Sequence, residues 1–467
     1  MWWCATSEGA SGTLPGVKLV ALALCVGSMV ARAQVVQLGD GKDGPLEVST
    51  RGVVVNQHSP LAFDAAAGDL RLTVVDATPF RAGMTVLVVQ TQWKSDGERP
   101  RVGEFTVHTL ERVAGAVLEL GQPTSRAWRA DEAQVVTVPE YTEVTVTAEG
   151  SLVAPPWNGR SGGVLAFFAA GTVRNDGTVS AVGTGFRGGT ARDVAETETL
   201  CTREDERAPR GSEKGEGALV GAAVGRTGRG FNDAGGGGGV CRASGGGGGA
   251  GLGGGGQGGV SDDGRRDVGG LGGEALPYAG LIFGGGGGAA NGAMGQGRAG
   301  GRGGGAVFVR ARRVEGSGSF TVSGEPGRAA SVRQGAGGGG GGAGGLVLEV
   351  VEDATCTLLA VGGAGGAGTT HGPGGGGGGG HVSLRARRVV ACPLSTAGGA
   401  EGSTTNGFAG AQAGTEGRAT TREGASTTPF PSGPGASLER LGCGCGGVSG
   451  EALFWAGTLL LRRRRVR

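Results

Sequence analysis

Short alternations of apolar and polar positions dominate the chain between residues 70 and 148. LRLTVVDA (70–77), MTVLVVQTQ (84–92), GEFTVHTL (103–110), AVLELG (116–121), AQVVTVP (133–139) and TEVTVTA (142–148) are rich in β-branched residues and are separated by Gly, Asp and Pro. Period-two alternation of this kind predicts half-buried strands. No stretch here has the spacing of an amphipathic helix, so the region 34–158 is expected to form an all-β barrel or sandwich.

After Pro155 a repeat takes over. GGVLAFFAAGTVRNDGTVSAVG (162–183), GGAVFVRARRVEGSGSFTVSG (304–324), GGLVLEVVEDATCTLLAVGG (344–363) and GGHVSLRARRVVACPLSTAGG (379–399) share one plan. Each runs Gly-Gly, an alternating strand, a turn, a second short strand, then glycine. Such units predict the coils of a β-solenoid, with an antiparallel sandwich of hairpins as the alternative. In a parallel stack Val307 and Val309 are expected near Val347 and Glu349 or their neighbours, the register being open by one residue; a slip of one residue would exchange the two faces. The glycine-rich repeat body is placed at 159–400, with an insertion at about 190–303 between its first two copies. Residues 401–441, which include PFPSGPGAS, are expected to be a flexible linker.

Composition changes this picture at one point. Glycine accounts for 109 of 467 residues, concentrated in 235–305, in GAGGGGGGAGG (335–345) and in GPGGGGGGGH (372–381). Glycine loses the most backbone entropy on folding and buries no side chain, so an ordered tract needs a core beside it. Three arrangements are open: mobile loops thrown out from the solenoid, threefold extended polyglycine helices packed side by side, or close-contact turns within a sheet. The formal net charge of +2 gives no electrostatic basis for binding nucleic acid.

The ends of the chain carry addresses. VKLVALALCVGSMVARAQ (17–34) has a basic residue, an apolar run and Ala31-Arg32-Ala33 before Gln34. That is the pattern of a secretory signal peptide cleaved after Ala33, making 1–33 leader and signal. Val17-Lys18 would make an ordinary start, which places residues 1–16 upstream of it. An N-terminal anchor is the alternative, although the apolar run falls short of the ~20 residues of a bilayer span. Leu24 is too large for a lipoprotein signal at Cys25. The segment GCGCGGVSGEALFWAGTLLLRRRRVR (442–467) joins Cys443 and Cys445 to a short apolar run and to Arg462, Arg463, Arg464 and Arg465. It resembles the myxobacterial MYXO-CTERM sorting signal. The resemblance implies export, processing near Cys443 or Cys445 by sorting machinery, and display at the outer membrane or cell surface. A plain tail anchor is the alternative.

A second resemblance covers much of 39–189. GDGKDGPLEV (39–48), AAGDLRLTVVDATPFRAGMTVLVVQTQ (66–92) and PEYTEVTVTAEGSLVAPPWNGRSGGVLAFFAAGTVRNDGTVSAVGTGFRGG (139–189) resemble myxobacterial adventurous gliding motility proteins of the AgmC type. The resemblance implies an envelope or surface protein connected with gliding. It brings no catalytic residue and no cofactor.

Little else in the sequence points to chemistry. Of eight cysteines, Cys201, Cys241, Cys356 and Cys392 remain for the mature body. Four cysteines allow three connectivities. Cys201–Cys241 with Cys356–Cys392 is favoured, because each pair brackets one neighbourhood and an exported protein meets oxidising conditions. Gly159-Arg160-Ser161-Gly162-Gly163 matches G-x-S-x-G, but a strand-like run follows where a nucleophile elbow needs a helix. The G-x-G-x-x-G matches lie inside glycine tracts and open no helix. His371 and His381 flank a glycine run and are expected on surface loops. Asp262-Asp263 with 269–274 lacks the regular Asp of a calcium-binding repeat, so no metal or cofactor is expected. Arg310-Ala311-Arg312-Arg313 recurs as Arg385-Ala386-Arg387-Arg388. Alternation sets Arg310 with Arg312, and Arg385 with Arg387, on one strand face. These form either a solvated face or a ladder for an anionic polysaccharide. The sequence thus predicts an exported, non-enzymatic surface protein, structural or adhesin-like, with envelope components or surface polysaccharide as partners. The alternatives are a β-helical enzyme acting on surface polysaccharide and a glycan-binding glycine-rich tip.

Overall fold

The computed structural model describes residues 38–94, 102–194, 211–220, 225–240, 242–260, 269–293, 297–331, 335–405, 407 and 409–424. The described residues contain strands and no helix, and the fold is all-β with a solenoid-like body.

The alternating runs of the first region build a barrel. Strands His58–Pro60, Ala133–Val138, Thr85–Gln90, Phe105–Ala114, Val117–Leu120 and Arg71–Thr73 form one antiparallel sheet in that spatial order. A bridge between Leu61 and Val74 joins the two edges and closes it. Val86, Val88, Leu72, Leu110, Leu118 and Trp128 fill the interior. Every residue of Thr85–Gln90 is buried, because Leu87 and Val89 on its outer face pack against a second body.

That second body is the solenoid. Strands Leu46–Val48, Val144–Val146, Val164–Asn175, Ala306–Glu315, Gly345–Val350, His381–Ala386 and Arg418–Glu423 stack as one parallel sheet. A parallel companion sheet stacks Ser151–Val153, Thr178–Ser180, Ser319–Thr321, Thr357–Leu359 and Leu394–Ser395. Leu165, Val307, Leu346 and Val382 form one column of the interior, and Phe167, Val309, Leu348 and Leu384 another. Phe320 and Leu358 of the companion sheet face them. Val307 therefore pairs with Leu346 and Val309 with Leu348, which places the register on the neighbours of Val347 and Glu349. The observed register keeps Glu349 out of the aliphatic interior, where an unpartnered carboxylate would be costly.

Both ends of the barrel region belong to the solenoid, since Leu46–Val48 and Val144–Val146 lie in its sheet. The boundary at 158 thus differs from the structural one. Asn56, which is buried, ties the two bodies together: its Nδ2 donates to the carbonyls of Thr137 and Ala166, each at 2.7 Å. The stretch assigned to a linker also changes character, because Arg418–Glu423 pairs in register with His381–Ala386. Its polar composition, RATTRE, suits the exposed edge strand it forms.

The glycine tracts are packed extended legs. After its short strand each coil runs outward along one leg (322–330, 361–369, 396–404) and returns along another (336–344, 372–380, 410–417) to the next long strand. The insertion supplies further legs, and its run 243–251 is bonded to the return legs 337–342 and 374–380 rather than thrown out as a loop. The bonding has a period of three. From the run 243–251, Gly245 and Gly248 donate to Gly259 and Gly256, Gly246 and Gly249 to Gly337 and Gly340, and Gly247 and Ala250 to Gly237 and Ala234. The carbonyls of the same residues accept from Gly270 and Gly273, from Gly375 and Gly378, and from Gly288 and Gly285. This leg therefore has six neighbours (235–239, 253–259, 269–276, 284–288, 337–342 and 374–380), as threefold helices in a hexagonal lattice would.

Position in the lattice explains the composition of each leg. An inner leg has backbone on all sides. A Cβ added to Gly339 would lie 1.9 Å from the carbonyl oxygen of Gly247. An outer leg has one open side, and there every third residue can carry a side chain. In 361–368, VGGAGGAG, Ala364 is exposed while Gly362, Gly363 and Gly366 are buried. Gly339→Ala is predicted to lower stability by about 3 kcal/mol, whereas Ala364→Ser should change it by less than about 0.5 kcal/mol. Thermal unfolding of the two variants checks the contrast.

Candidate functional site: the outer face of the parallel sheet

The outward side chains of the parallel sheet form rows across successive coils. One row runs Phe168, Arg310, Glu349, Arg385, Arg422. Beside it runs Phe308, Val347, Ser383, Thr420, and beyond that Gly345, His381, Arg418. The barrel roofs the first coils, and Phe105 stacks on Phe308 with ring centroids 5.0 Å apart. Towards the last coil the roof ends: Arg418 and Arg422 are exposed and Arg385 half-buried.

This geometry sorts the arginines singled out in the sequence. Arg310 is only 1% exposed. Its guanidinium lies 4.7 Å from the Phe168 ring and 5.4 Å from the Phe308 ring, and Nε donates to Glu349 Oε2 at 2.8 Å. Burial pushes the Glu349 carboxyl above the usual carboxylate range, and the adjacent Arg310 charge pulls it back. Arg310 is thus a structural cation under the barrel, and the expectation of an external contact for it does not hold. Arg312 donates from Nε to the Ala170 carbonyl at 3.0 Å and lies 4.0 Å from Glu352. Arg387 reaches Asp353 at 3.5 Å. Both sit where the long strand turns toward the companion sheet. At this corner charges pair between coils: Arg174 with Glu315, Arg313 with Glu352, Arg388 with Asp353. Of the four predicted contact residues, Arg310 is buried, Arg385 is half-buried on the outward face, and Arg312 and Arg387 are exposed at the corner. Arg418 and Arg422, the neighbours of Arg385, were missed because they fall in the stretch read as linker. The signal that could have found them is the alternation Arg-Ala-Thr-Thr-Arg after a glycine leg.

His381 is 5% exposed, not a surface loop residue. It opens its strand beneath the insertion, and the Gly280 N–H donates to its Nδ1 at 3.2 Å. Burial pushes its imidazole down to about 4. His58 Nδ1 lies 2.9 Å from Ser161 Oγ, a pairing across 103 residues that sequence spacing could not show. Ser161 is 2% exposed and is followed by the strand Val164–Asn175, so its hydroxyl is sealed and holds the barrel edge to the solenoid. Residues 269–273 form a glycine leg whose amides at Gly270 and Gly273 bond Gly245 and Gly248. Among the described residues no group of three or more His, Cys, Asp or Glu side chains is arranged to hold a metal ion.

A disulfide joins Cys356 and Cys392, with Cα atoms 4.6 Å apart. That distance is the ordinary spacing of adjacent strands, and each cysteine occupies the same corner of consecutive coils. Cys201, Cys241, Asp262 and Asp263 lie outside the described residues, as do Ala33, Cys443, Cys445 and Arg462 to Arg465.

No protein-family model and no curated protein matches the chain. Three solved structures are similar to it at a low level. They are the Gp54 tailspike of Acinetobacter baumannii bacteriophage AP22 in complex with A. baumannii capsular saccharide (10% identity, 75% of this chain, 62% of that chain, TM-score 0.18), the tailspike protein gp49 from Pseudomonas phage LKA1 (9%, 74%, 61%, 0.17) and the Pseudomonas phage phi297 tailspike gp61 (14%, 76%, 60%, 0.17). The chain spans about six tenths of the length of these tailspikes. At such TM-scores the likeness carries no conclusion about binding or activity.

Removing one partner of a buried ion pair strands the other charge. Glu349→Ala is therefore predicted to destabilise the protein by about 3–5 kcal/mol, and the double variant Arg310→Met/Glu349→Leu to recover most of that loss; denaturant unfolding measures both. His381 gives a pH dependence. Its folded pKa of about 4 lies below the ordinary 6.5, so the unfolded chain binds the proton more tightly. Stability should be level above pH 6.5 and fall by about 3 kcal/mol as pH drops to about 4. His381→Gln should flatten that slope in part, since burial also lowers His58 and His108.

Proposed function

We propose that this chain is an exported, non-enzymatic cell-surface protein, structural or adhesin-like, that presents a rigid face to envelope components or surface polysaccharide. The observation that carries the reading is the glycine lattice. Its legs are joined backbone to backbone, so the body holds its form without chemically active side chains. The corner ion pairs and the Cys356–Cys392 rung tie coil to coil in the same way. Such a body suits a protein exposed outside the cell, where disulfides persist.

The addresses read in the sequence supply the location. Cleavage after Ala33 would release the chain into the envelope. Sorting machinery acting near Cys443 or Cys445, followed by the cluster Arg462 to Arg465, would place it at the outer membrane. A connection with gliding rests on the resemblance of 39–189 to AgmC-type proteins. A glycoside hydrolase of the two-carboxylate kind would need a pair of free carboxyl groups flanking a sugar chain. On the outer face Glu349 is engaged with Arg310, which favours the non-enzymatic reading.

Antibody raised against the barrel should stain intact cells that express the full chain. A chain lacking 442–467 should be exported but lost from the surface. Staining that needs permeabilised cells, or surface display unchanged by the truncation, would contradict the proposed route.

A further inference from the structure

We infer that the open end of the solenoid is a docking site for the chain's own segment 425–432, with Phe430 seated on Leu394. The inference stands on coil geometry and does not depend on the surface reading. The companion sheet carries one inward column. Val53, Leu152, Val179, Phe320, Leu358 and Leu394 are successive register partners in it. Leu152, Val179, Phe320 and Leu358 are at most 1% exposed, because a coil lies on either side of each. Leu394 ends the described column and is 39% exposed, and Val390 near it is 57% exposed. The long-strand sheet goes one coil further. Ala419 and Thr421 continue the interior rows of Val382 and Leu384, yet both are exposed. Among the described residues, the last long strand thus lacks the companion strand that faces the preceding ones. An open sheet edge of this kind is a template for pairing.

Three observations name the occupant. The chain leaves its last strand at this corner, where the Gly424 N–H donates to the Ala386 carbonyl at 3.2 Å. The residue count agrees. Leu358 lies twelve positions after Leu346, and Leu394 twelve after Val382. The second count includes Val390 as an extra residue, since Ala354 pairs with Val389 and Thr355 with Ala391. A turn without that residue reaches the column eleven positions after Ala419, at Phe430. The residue type agrees as well. The column residue sits in Thr-Val-Ser (178–180), Ser-Phe-Thr (319–321), Thr-Leu-Leu (357–359) and Pro-Leu-Ser (393–395). Pro-Phe-Pro (429–431) repeats that plan, and Phe430 is the single large apolar residue in 425–437.

Backbone bonding allows the step. In the preceding pair the Leu358 N–H donates to the Pro393 carbonyl at 3.0 Å, and the Ala360 N–H to the Ser395 carbonyl at 2.8 Å. The same pattern one coil on takes the N–H groups of Leu394 and Thr396 to the carbonyls of Pro429 and Pro431. Proline keeps its carbonyl, and its missing N–H is tolerated on an edge strand. A second copy is the competing occupant, with Val53 of one molecule set against Leu394 of the next. The chain's own segment is favoured because Phe430 is tethered six residues from Gly424. A short tether holds it at an effective concentration in the millimolar range. Combined with sorting near Cys443, this leaves 433–441 as the tether, about 30 Å when fully extended. The last coil is then held beside the anchor.

The test uses the purified mature chain. In Pro393→Cys/Pro429→Cys the two thiols should stand on neighbouring strands, at the ~4.8 Å spacing that a disulfide spans. Cys356 and Cys392 bridge consecutive coils in this way. Under mild oxidation the 393–429 bridge should form at least about tenfold faster than the bridge of Pro393→Cys/Ala436→Cys, as read by peptide mass mapping. Equal rates, or failure of both bridges, would overturn the inference. A second arm compares chains ending at 424 and at 433. The shorter chain should melt about 3 °C lower, and Phe430→Ser in the longer one should reproduce the loss. Equal melting of all three would contradict the seating of Phe430. Self-association of the chain ending at 433, abolished by Leu394→Ser, would assign this end to a second copy instead. Every readout is made on purified protein, so failure of the surface reading and failure of this inference are separate results.

Discussion

The backbone hydrogen bond between neighbouring glycine legs is the constraint on which the rest of this molecule depends. Its spacing leaves no room for a Cβ on an inner leg, so residue choice there is set by geometry. A Cβ on Gly246 would come within 2.0 Å of the Gly288 carbonyl oxygen, and one on Gly374 within 1.9 Å of that of Gly338. A net gain of about 1 kcal/mol per hydrogen bond does not exceed the backbone entropy lost in ordering a residue, about 1–2 kcal/mol. The legs are therefore not self-sufficient. The return legs are held by the aliphatic strands that follow them, such as Leu346 and Leu348 after the leg 336–344, and the insertion run 243–251 is bonded onto the return legs in turn. The sheets supply the hydrophobic stabilisation, and the glycine legs extend the ordered body sideways.

The same constraint organises function. A lattice of backbone leaves few side chains to do chemistry, so charge and hydroxyl groups gather on the sheet faces and corners. The barrel then divides the outer face in two. Under it, Phe168, Phe308 and the Arg310–Glu349 pair form a buried seam. Beyond it, Arg385, Thr420 and Arg422 stand toward solvent. One sheet face is thus covered by the barrel at one end and open to solvent at the other.

Much of this could be read from the chain, in ways that differ by element. The alternating runs at 70–77, 84–92, 103–110, 116–121 and 133–139 became barrel strands, because half-buried strands impose period two. The repeated Gly-Gly–strand–turn–strand units became coils for the same reason. Register was not readable: an apolar run such as LVLEV fits either face until a neighbour is known, and only the pairing of Leu346 with Val307 settles it. The glycine tracts were ambiguous for a related reason. A residue without a side chain carries no pattern, and what separates a lattice from a loop is the set of neighbouring backbones. The informative sign was the contrast between pure runs such as 337–342 and period-three runs such as GGAGGAG. The site was half visible. The RARR motifs drew attention to Arg310, which lies under the barrel, while Arg418 and Arg422 lay in a polar stretch that composition alone assigns to a linker.

Amide hydrogen exchange of the glycine legs tests the account most directly. If the lattice exists, the N–H groups of 245–249, 284–288, 337–342 and 374–380 exchange far more slowly than those of an unstructured glycine peptide, and they lose protection together with the solenoid strands. Exchange of these amides at unstructured rates while the strands stay protected would contradict it.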